Sequence, residues 1–175
     1  VETATERYGG VDIFLANAGI EGDVTSLLDY DESRFDQVMA VNVKGPFLGL
    51  RAAVPAMRLR GGGSIIITSS IAGVRGAPSL APYATSKHAV IGLMRSAAKE
   101  FAAEGIRVNT VNPSPVHTRM MRSIEEGIRP DDPEAAQQLM AANIPMQRYA
   151  EAEDIANIML FLASDESRFM TGATY

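Results

Sequence analysis

Short apolar runs closed by small polar residues alternate along this chain with longer stretches in which apolar residues recur every three or four positions. "VDIFLANAG" (11–19) is such a run, ended by Asn and Gly, and it predicts a buried strand. From Asp31 to Arg60 the residues Phe35, Val38, Met39, Phe47, Leu50, Val54 and Met57 predict one long helix or two abutting ones, with Gly45-Pro46 marking a break or kink. "SIIITSS" (64–70), reached through the turn Gly61-Gly62-Gly63, predicts a second buried strand. A loop holding Gly73, Gly76 and Pro78 then leads to a helix from about Pro82 to Glu104. Its apolar face carries Val90, Leu93, Met94, Ala97 and Phe101. "IRVNTVNP" (106–113) predicts the third strand. A Met-rich, Pro-interrupted stretch follows to about Met146, then a helix around Asp154 to Ala163. Alternating strands and helices predict an α/β fold, a doubly wound parallel sheet with helices on both faces. No internal repeat or linker interrupts it, so residues 1–175 read as a single domain.

Composition changes this picture by exclusion. The net charge of −5 comes without a basic cluster, so the electrostatic footprint for nucleic acid is missing. There is no cysteine, which removes disulfides and thiolate metal sites and fits a reducing, cytoplasmic compartment. No apolar run reaches the length of a membrane span, so no membrane partner is expected. His88 and His117 stand 29 positions apart with no ligand spacing around them, and no metal site is expected. The chain is expected to be a fragment. It begins at Val1 inside a helix ending at Tyr8-Gly9-Gly10, and it stops at "MTGATY", where "GATY" starts another strand.

In a sheet of this kind ligands sit beyond the carboxyl ends of the strands. Those ends carry Asn17-Ala18-Gly19, Ser69-Ser70 and Asn112-Pro113-Ser114. "APYATSKHAV" (81–90) adds Tyr83 and Lys87, four positions apart on one helix face. A free phenol, with a pKa near ~10, exchanges its proton poorly at neutral pH, and a neighbouring cation lowers that value. The pair could then serve as a general acid or base toward an alcohol or carbonyl oxygen. A Tyr-x-x-x-Lys spacing arises by chance about one time in three in a chain of this composition, so alone it reads better as a solvated surface pair. Ser70 shifts the balance. It ends a strand and opens the loop that delivers Tyr83, so both hydroxyls can converge on one substrate oxygen.

Taken together, "ANAG" (16–19), "VNVKG" (41–45), "GSIIITSS" (63–70), "YATSK" (83–87) and "RVNTVNPSPVHTRM" (107–120) resemble the classical short-chain dehydrogenase/reductases, in order and at the family's spacing over the whole chain. The resemblance implies a Rossmann-like fold and an NAD- or NADP-dependent hydride transfer between the nicotinamide and a secondary alcohol or ketone. By the same resemblance Tyr83 is the general acid/base, and Lys87 binds the nicotinamide ribose and lowers the Tyr83 pKa. Ser70, rather than Ser69, bonds the substrate oxygen, and Asn42 holds a water that continues the proton relay. Asn17, with Ala18 and Gly19, lines the adenosine side of the cofactor groove. Pro113, Ser114, Val116 and Thr118 hold the nicotinamide end. A homodimer or homotetramer through the 33–60 and 82–104 helices and a small-molecule substrate are implied as well.

The chain departs from the family pattern in two places. Ser114 stands where the family has Gly, so crowding or a φ/ψ adjustment and weakened cofactor affinity are expected. Nothing corresponds to the family's Thr-Gly-x-x-x-Gly-x-Gly turn, since Gly61-Gly62-Gly63 precedes a strand instead of following one. Two βα units of roughly 30 residues each are expected upstream. Without them the 11–16 strand has an unpaired edge, and the 175-residue piece alone is expected to be poorly soluble and to hold no dinucleotide. Met120, Met121, Ile124, Ile128 and Met140 read equally as a mobile lid over the substrate or a plain amphipathic helix pair. Two other functions stay open. One is a 3-oxoacyl-carrier-protein reductase, for which Arg119, Arg122 and Arg129 would form the docking patch. The other is a non-catalytic dinucleotide-responsive binding protein.

Overall fold

The computed structural model describes residues 1–175. Three parallel strands, β1 (Ile13–Ala16), β2 (Gly63–Thr68) and β3 (Ile106–Val111), lie in the order β1-β2-β3. Leu15 is opposite Ile66, and Ile66 opposite Asn109. In chain order the helices are α1 (Glu2–Tyr8), α2 (Glu32–Met39), α3 (Gly45–Arg60), α4 (Ala81–Phe101), α5 (Arg119–Ile128), α6 (Pro133–Ala142) and α7 (Ala152–Ala163). Residues 173–175 continue the sheet beside β3. Thr174 bridges Thr110 in parallel, and the Tyr175 amide donates to the Thr110 carbonyl at 3.0 Å. The expected strand start at "GATY" is therefore present. No helix is long and apolar enough to cross a membrane.

The pleat decides which layer each residue joins. Ile65 and Ile67 of β2 face α3 and α4, forming the main core with Leu50, Val54, Met57, Val90, Met94 and Val108. Ile66, between them, faces the other way and packs with Val111 and Leu162 of α7. Ser64 on that second face is satisfied by donating to the Leu162 carbonyl at 2.7 Å. Helices thus cover β2 on both sides, which is why its apolar run shows no alternation.

β1 differs from the sequence expectation. Phe14 and Ala16 turn toward α3, but Ile13 and Leu15 are about half exposed because no element of the chain covers that face. β1 pairs with β2 on one edge only, as expected. Its contact with α3 depends on Gly49, where a Cβ would sit 2.4 Å from the Phe14 ring.

The 31–60 stretch starts at Asp31, whose carboxylate caps α2 by accepting from the Ser33 and Arg34 amides at 2.8 and 3.2 Å. The break expected at Gly45-Pro46 falls earlier. Residues Ala40–Lys44 form a π-helical turn, and α3 then runs on with Pro46 in its first turn, where a missing N–H costs nothing. The helix predicted to reach Glu104 ends as α-helix at Phe101 and closes with a 3-10 turn over Ala102–Glu104. The Met-rich stretch is an ordinary helix pair, α5 and α6, with Ile124 and Ala136 buried.

Replacing Gly49 by Val should push Phe14 out of its seat and destabilise the fold by roughly 1–3 kcal/mol, the usual cost of overpacking. Urea unfolding of the full-length variant checks this, and an unchanged midpoint would show that the β1–α3 contact is not tight.

Candidate active site

Helix α4, which carries Tyr83 and Lys87, is held by its own polar residues. Ser86, fully buried, donates to the Tyr83 carbonyl at 2.7 Å and accepts from the Asn42 side-chain amide at 2.9 Å. That amide also donates to the Ile20 carbonyl at 2.9 Å, while Asn42 Oδ1 accepts from the Ile20 amide at 2.8 Å. One side chain in the π turn therefore ties the loop after β1 to α4. Asn42 is 1% exposed with both amide hydrogens used.

At the end of β2 the two serines divide the work. Ser69 donates to the Lys87 carbonyl at 2.8 Å and is structural. Ser70 caps the following 3-10 turn, its Oγ accepting from the Ala72 amide at 3.1 Å, and lies close enough to the Tyr83 phenol to act on its proton. Asn112 fixes the backbone there by donating to the Ser70 carbonyl at 3.1 Å, and the Ile71 amide donates to the Pro113 carbonyl at 2.9 Å. Ser70, not Ser69, is the serine beside the Tyr83 phenol.

Lys87 is 4% exposed. Its Nζ donates to the Thr68 carbonyl at 2.8 Å and lies 5.5 Å from the centre of the Tyr83 ring. Burial alone pulls its pKa down to about 8, which leaves it mainly charged at neutral pH. The Tyr83 phenol moves the other way from the expectation. Burial raises it, the Ser70 hydroxyl opposes that rise, and the charge of Glu21 adds to it. The lowering expected from Lys87 does not appear against the rise that burial produces.

The remaining expected residues fall on two rims. Asn17 and Ala18 are exposed at the end of β1, and Asn17 Oδ1 accepts from the Thr68 hydroxyl at 2.8 Å. Gly19 runs against the polar centre: a Cβ there would lie 3.3 Å from Lys87 Nζ and 3.4 Å from Asn42 Oδ1. On the opposite rim Val116 bridges Ala150, and Thr118 caps α5 by accepting from the Met121 amide at 3.4 Å. Pro113 and Ser114 lie half-buried between the rims. Ser114 keeps a negative φ, so the backbone adjustment expected of a Ser in the Gly position is not needed. His117 stacks on Tyr149 with ring centres 5.1 Å apart, and His88 Nδ1 bonds the Ala84 carbonyl at 2.9 Å. No cluster of His and acidic residues could hold a metal ion.

Sequence reasoning did not find Glu21, 7% exposed and close enough to act on Tyr83, nor Ser86 and Asn112 as braces. An acid inside the loop that ends a strand was the available signal for Glu21. Ser86 carried none, since a Ser on a helix face reads as solvated.

A nicotinamide dinucleotide fits this arrangement on the donor set. A lysine ammonium has three N–H donors, one of which is spent on Thr68, and the absent Gly19 side chain leaves backbone room beside it.

Comparison with known proteins agrees with the geometry. Residues 1–175 match the family described as Enoyl-(Acyl carrier protein) reductase. Levodione reductase from Leifsonia aquatica is 37% identical over 97% of this chain and 64% of its own length. Dehydrogenase/reductase SDR family member 4 from Bos taurus is 40% identical over 99% of this chain and 60% of its own. The crystal structure of NAD+-bound xylitol dehydrogenase superposes with a TM-score of 0.92 at 33% identity, covering 99% of this chain and 70% of that one. The chain belongs to the short-chain dehydrogenase/reductase family, and it spans just under two thirds of the length of these two relatives.

The depressed Lys87 value yields a sign that can be measured. Between about 8 and 10.5 the unfolded chain holds a proton on Lys87 that the folded one has lost, so this residue's contribution to stability rises with pH across that window. Below it the full cost of burying the charge is present. Lys87→Met should therefore stabilise the full-length, ligand-free protein at neutral pH by on the order of 2 kcal/mol, with the gain shrinking as pH rises past 8. Denaturant unfolding of both proteins over that pH range checks it; a gain that does not change with pH would contradict it.

Proposed function

We propose that this chain carries the catalytic residues of an NAD- or NADP-dependent oxidoreductase interconverting a secondary alcohol and a ketone. The observation that carries the reading is the convergence of a half-buried phenol, the neighbouring Ser70 and a buried ammonium at the carboxyl end of the central strand. The bound nicotinamide would supply or take up the hydride. Ser70 would orient the substrate oxygen by hydrogen bonding, and Tyr83 would give that oxygen its proton in the reduction direction. Its raised pKa keeps the phenol protonated at neutral pH, the state an acid needs. Oxidation requires that proton to move on. Lys87, exchanging near about 8, is the neighbouring group able to take part, and Asn42 would hold a relaying water. The N–H groups of Lys87 not used by Thr68 would hold the ribose hydroxyls. Thr118, with the backbone near Val116, would hold the carboxamide. Asn17, Ala18 and Gly19 would line the adenosine side, and Pro113 with Ser114 the nicotinamide side.

The carrier-protein reading is less well supported. Of its three arginines, Arg119 is engaged by Glu21, and Arg122 is surrounded by Glu125, Glu126 and Glu134. A purely binding role leaves the buried ammonium without a purpose, since such a charge is costly to keep.

A homodimer or homotetramer through α2–α3 and α4 belongs to the same proposal. Met39, Val43, Phe47 and Leu93 line an apolar groove there, and Phe47 and Leu48 are nearly half exposed. A small-molecule substrate and a cytoplasmic setting complete it.

Tyr83→Phe in the full-length protein should lower kcat by roughly 10³-fold or more, and Ser70→Ala by roughly 10²-fold, with the fold retained in both. Steady-state rates with a cyclic secondary alcohol or its ketone test this. A Tyr83→Phe variant as fast as wild type would remove the proposed proton donor.

A further inference from the structure

Two acidic side chains are buried in this chain, Glu125 and Glu21. Glu125 lies within the helix pair α5–α6, with Arg122 of its own helix 3.6 Å away. Glu21 is placed differently. It follows Ile20, whose amide and carbonyl are both held by the Asn42 side chain, so its backbone is fixed to the wall that carries Tyr83 and Lys87. Its carboxylate meets a cation from the opposite rim. Arg119 Nη1 and Nη2 reach the two carboxylate oxygens at 3.2 and 3.4 Å, joining residues 98 positions apart. Arg119 opens α5 directly after Thr118, and 76% of its side chain remains exposed.

We propose that the Glu21–Arg119 ion pair is a clasp that seats the first turn of α5 against the catalytic wall, which makes Arg119 a positioning residue for the nicotinamide and substrate side of the site. The two partners are asymmetric. Lifting α5 returns Arg119 to water at little cost, because it is already largely solvated. It leaves Glu21 without its cation in a place from which water is mostly excluded, and a buried charge deprived of its partner is strongly unfavourable. The closed position of α5 is therefore favoured by a charge on the fixed wall in addition to the packing of Ile124 and of Gly127 against Val24. The arms are also long for a bidentate guanidinium–carboxylate pair, whose bonds usually run ~2.7–2.9 Å, as befits a contact that opens. Thr118, one residue before Arg119, moves with the clasp, and so does the hydroxyl proposed to hold the carboxamide.

The inference rests on the proposed function for what the clasp positions, but not for whether it exists. The test uses the full-length protein with Arg119→Ala, Arg119→Lys, Glu21→Gln and the Glu21→Gln/Arg119→Ala double variant. Hydrogen exchange of the residue 122–128 amides is read against that of α4. Arg119→Ala should speed exchange in α5 by about tenfold and leave Tyr83–Lys87 unchanged, with Arg119→Lys between it and wild type. The double variant should loosen α5 no more than Arg119→Ala does, because the two residues act through one contact. In kinetics the dinucleotide KM should rise by about tenfold in Arg119→Ala while kcat changes by less than about threefold. Unchanged α5 exchange in Arg119→Ala, or an equal rise over α4 and α5, would overturn the clasp. A wild-type protein that turns over no alcohol or ketone would overturn the proposed function instead, and the exchange comparison would still decide the clasp.

Discussion

Lys87 brings a positive charge to a position where 4% of its surface remains exposed, and the Thr68 carbonyl is the hydrogen-bond acceptor that meets it there. Burying an ammonium costs several kcal/mol even after partial compensation, and much of the surrounding structure reads as the means of keeping it in place. The Thr68 carbonyl is available because β2 stops there and the chain turns away through Ser69 and Ser70. Ser69 returns to hold the Lys87 backbone, and Gly19 lets the loop after β1 close over the ammonium without a side chain in the way. A charge so placed is pre-organised for a polyhydroxyl ligand at its unused N–H groups.

The scaffold makes this arrangement rigid by distributing the polar contacts over several elements. Asn42 sits in a π turn, where the widened helix points its amide at both Ile20 and Ser86. Ser86 locks the first turns of α4, and Asn112 at the end of β3 holds the carbonyl of Ser70. No buried side-chain nitrogen or oxygen is left without a partner. The sheet supplies the frame: β2 is covered on both faces and bears Ile65, Ile66 and Ile67 in two separate cores. Of the two readings of the Met-rich stretch, the structure shows the plain helix pair, with Arg119 at the start of α5 paired to Glu21 of the loop after β1.

Much of this was legible in the sequence, and for identifiable reasons. β2 and β3 are dense β-branched runs bounded by Gly and Asn, and local pattern alone marks such strands. The candidate site was legible because Ser70, Tyr83 and Lys87 lie within one β-loop-α unit, where spacing in sequence translates directly into spacing in space. What was not legible depends on contacts between distant segments. The half-exposed face of β1 is invisible in "DIFLA", because an apolar run does not say which faces find partners. The π turn replaced the kink expected at Gly45-Pro46, since a proline within the first helical turn needs no break before it. The direction of the Tyr83 shift was misread from the Tyr-x-x-x-Lys spacing, because burial of the phenol outweighs proximity along the helix. Glu21 and Arg119 stand 98 positions apart and carry no mutual signal in a single sequence.

The account's central claim is that these residues form a proton-handling site beside a nicotinamide. It is tested most directly by incubating the full-length protein with a secondary alcohol deuterated at the carbinol carbon and either NAD or NADP, then following reduced nicotinamide by absorbance and its deuterium by mass spectrometry. The account predicts reduced dinucleotide that carries the deuterium, formed by wild type and not by Tyr83→Phe. Reduced dinucleotide without deuterium, or equal deuterium transfer by the Tyr83→Phe protein, would contradict it.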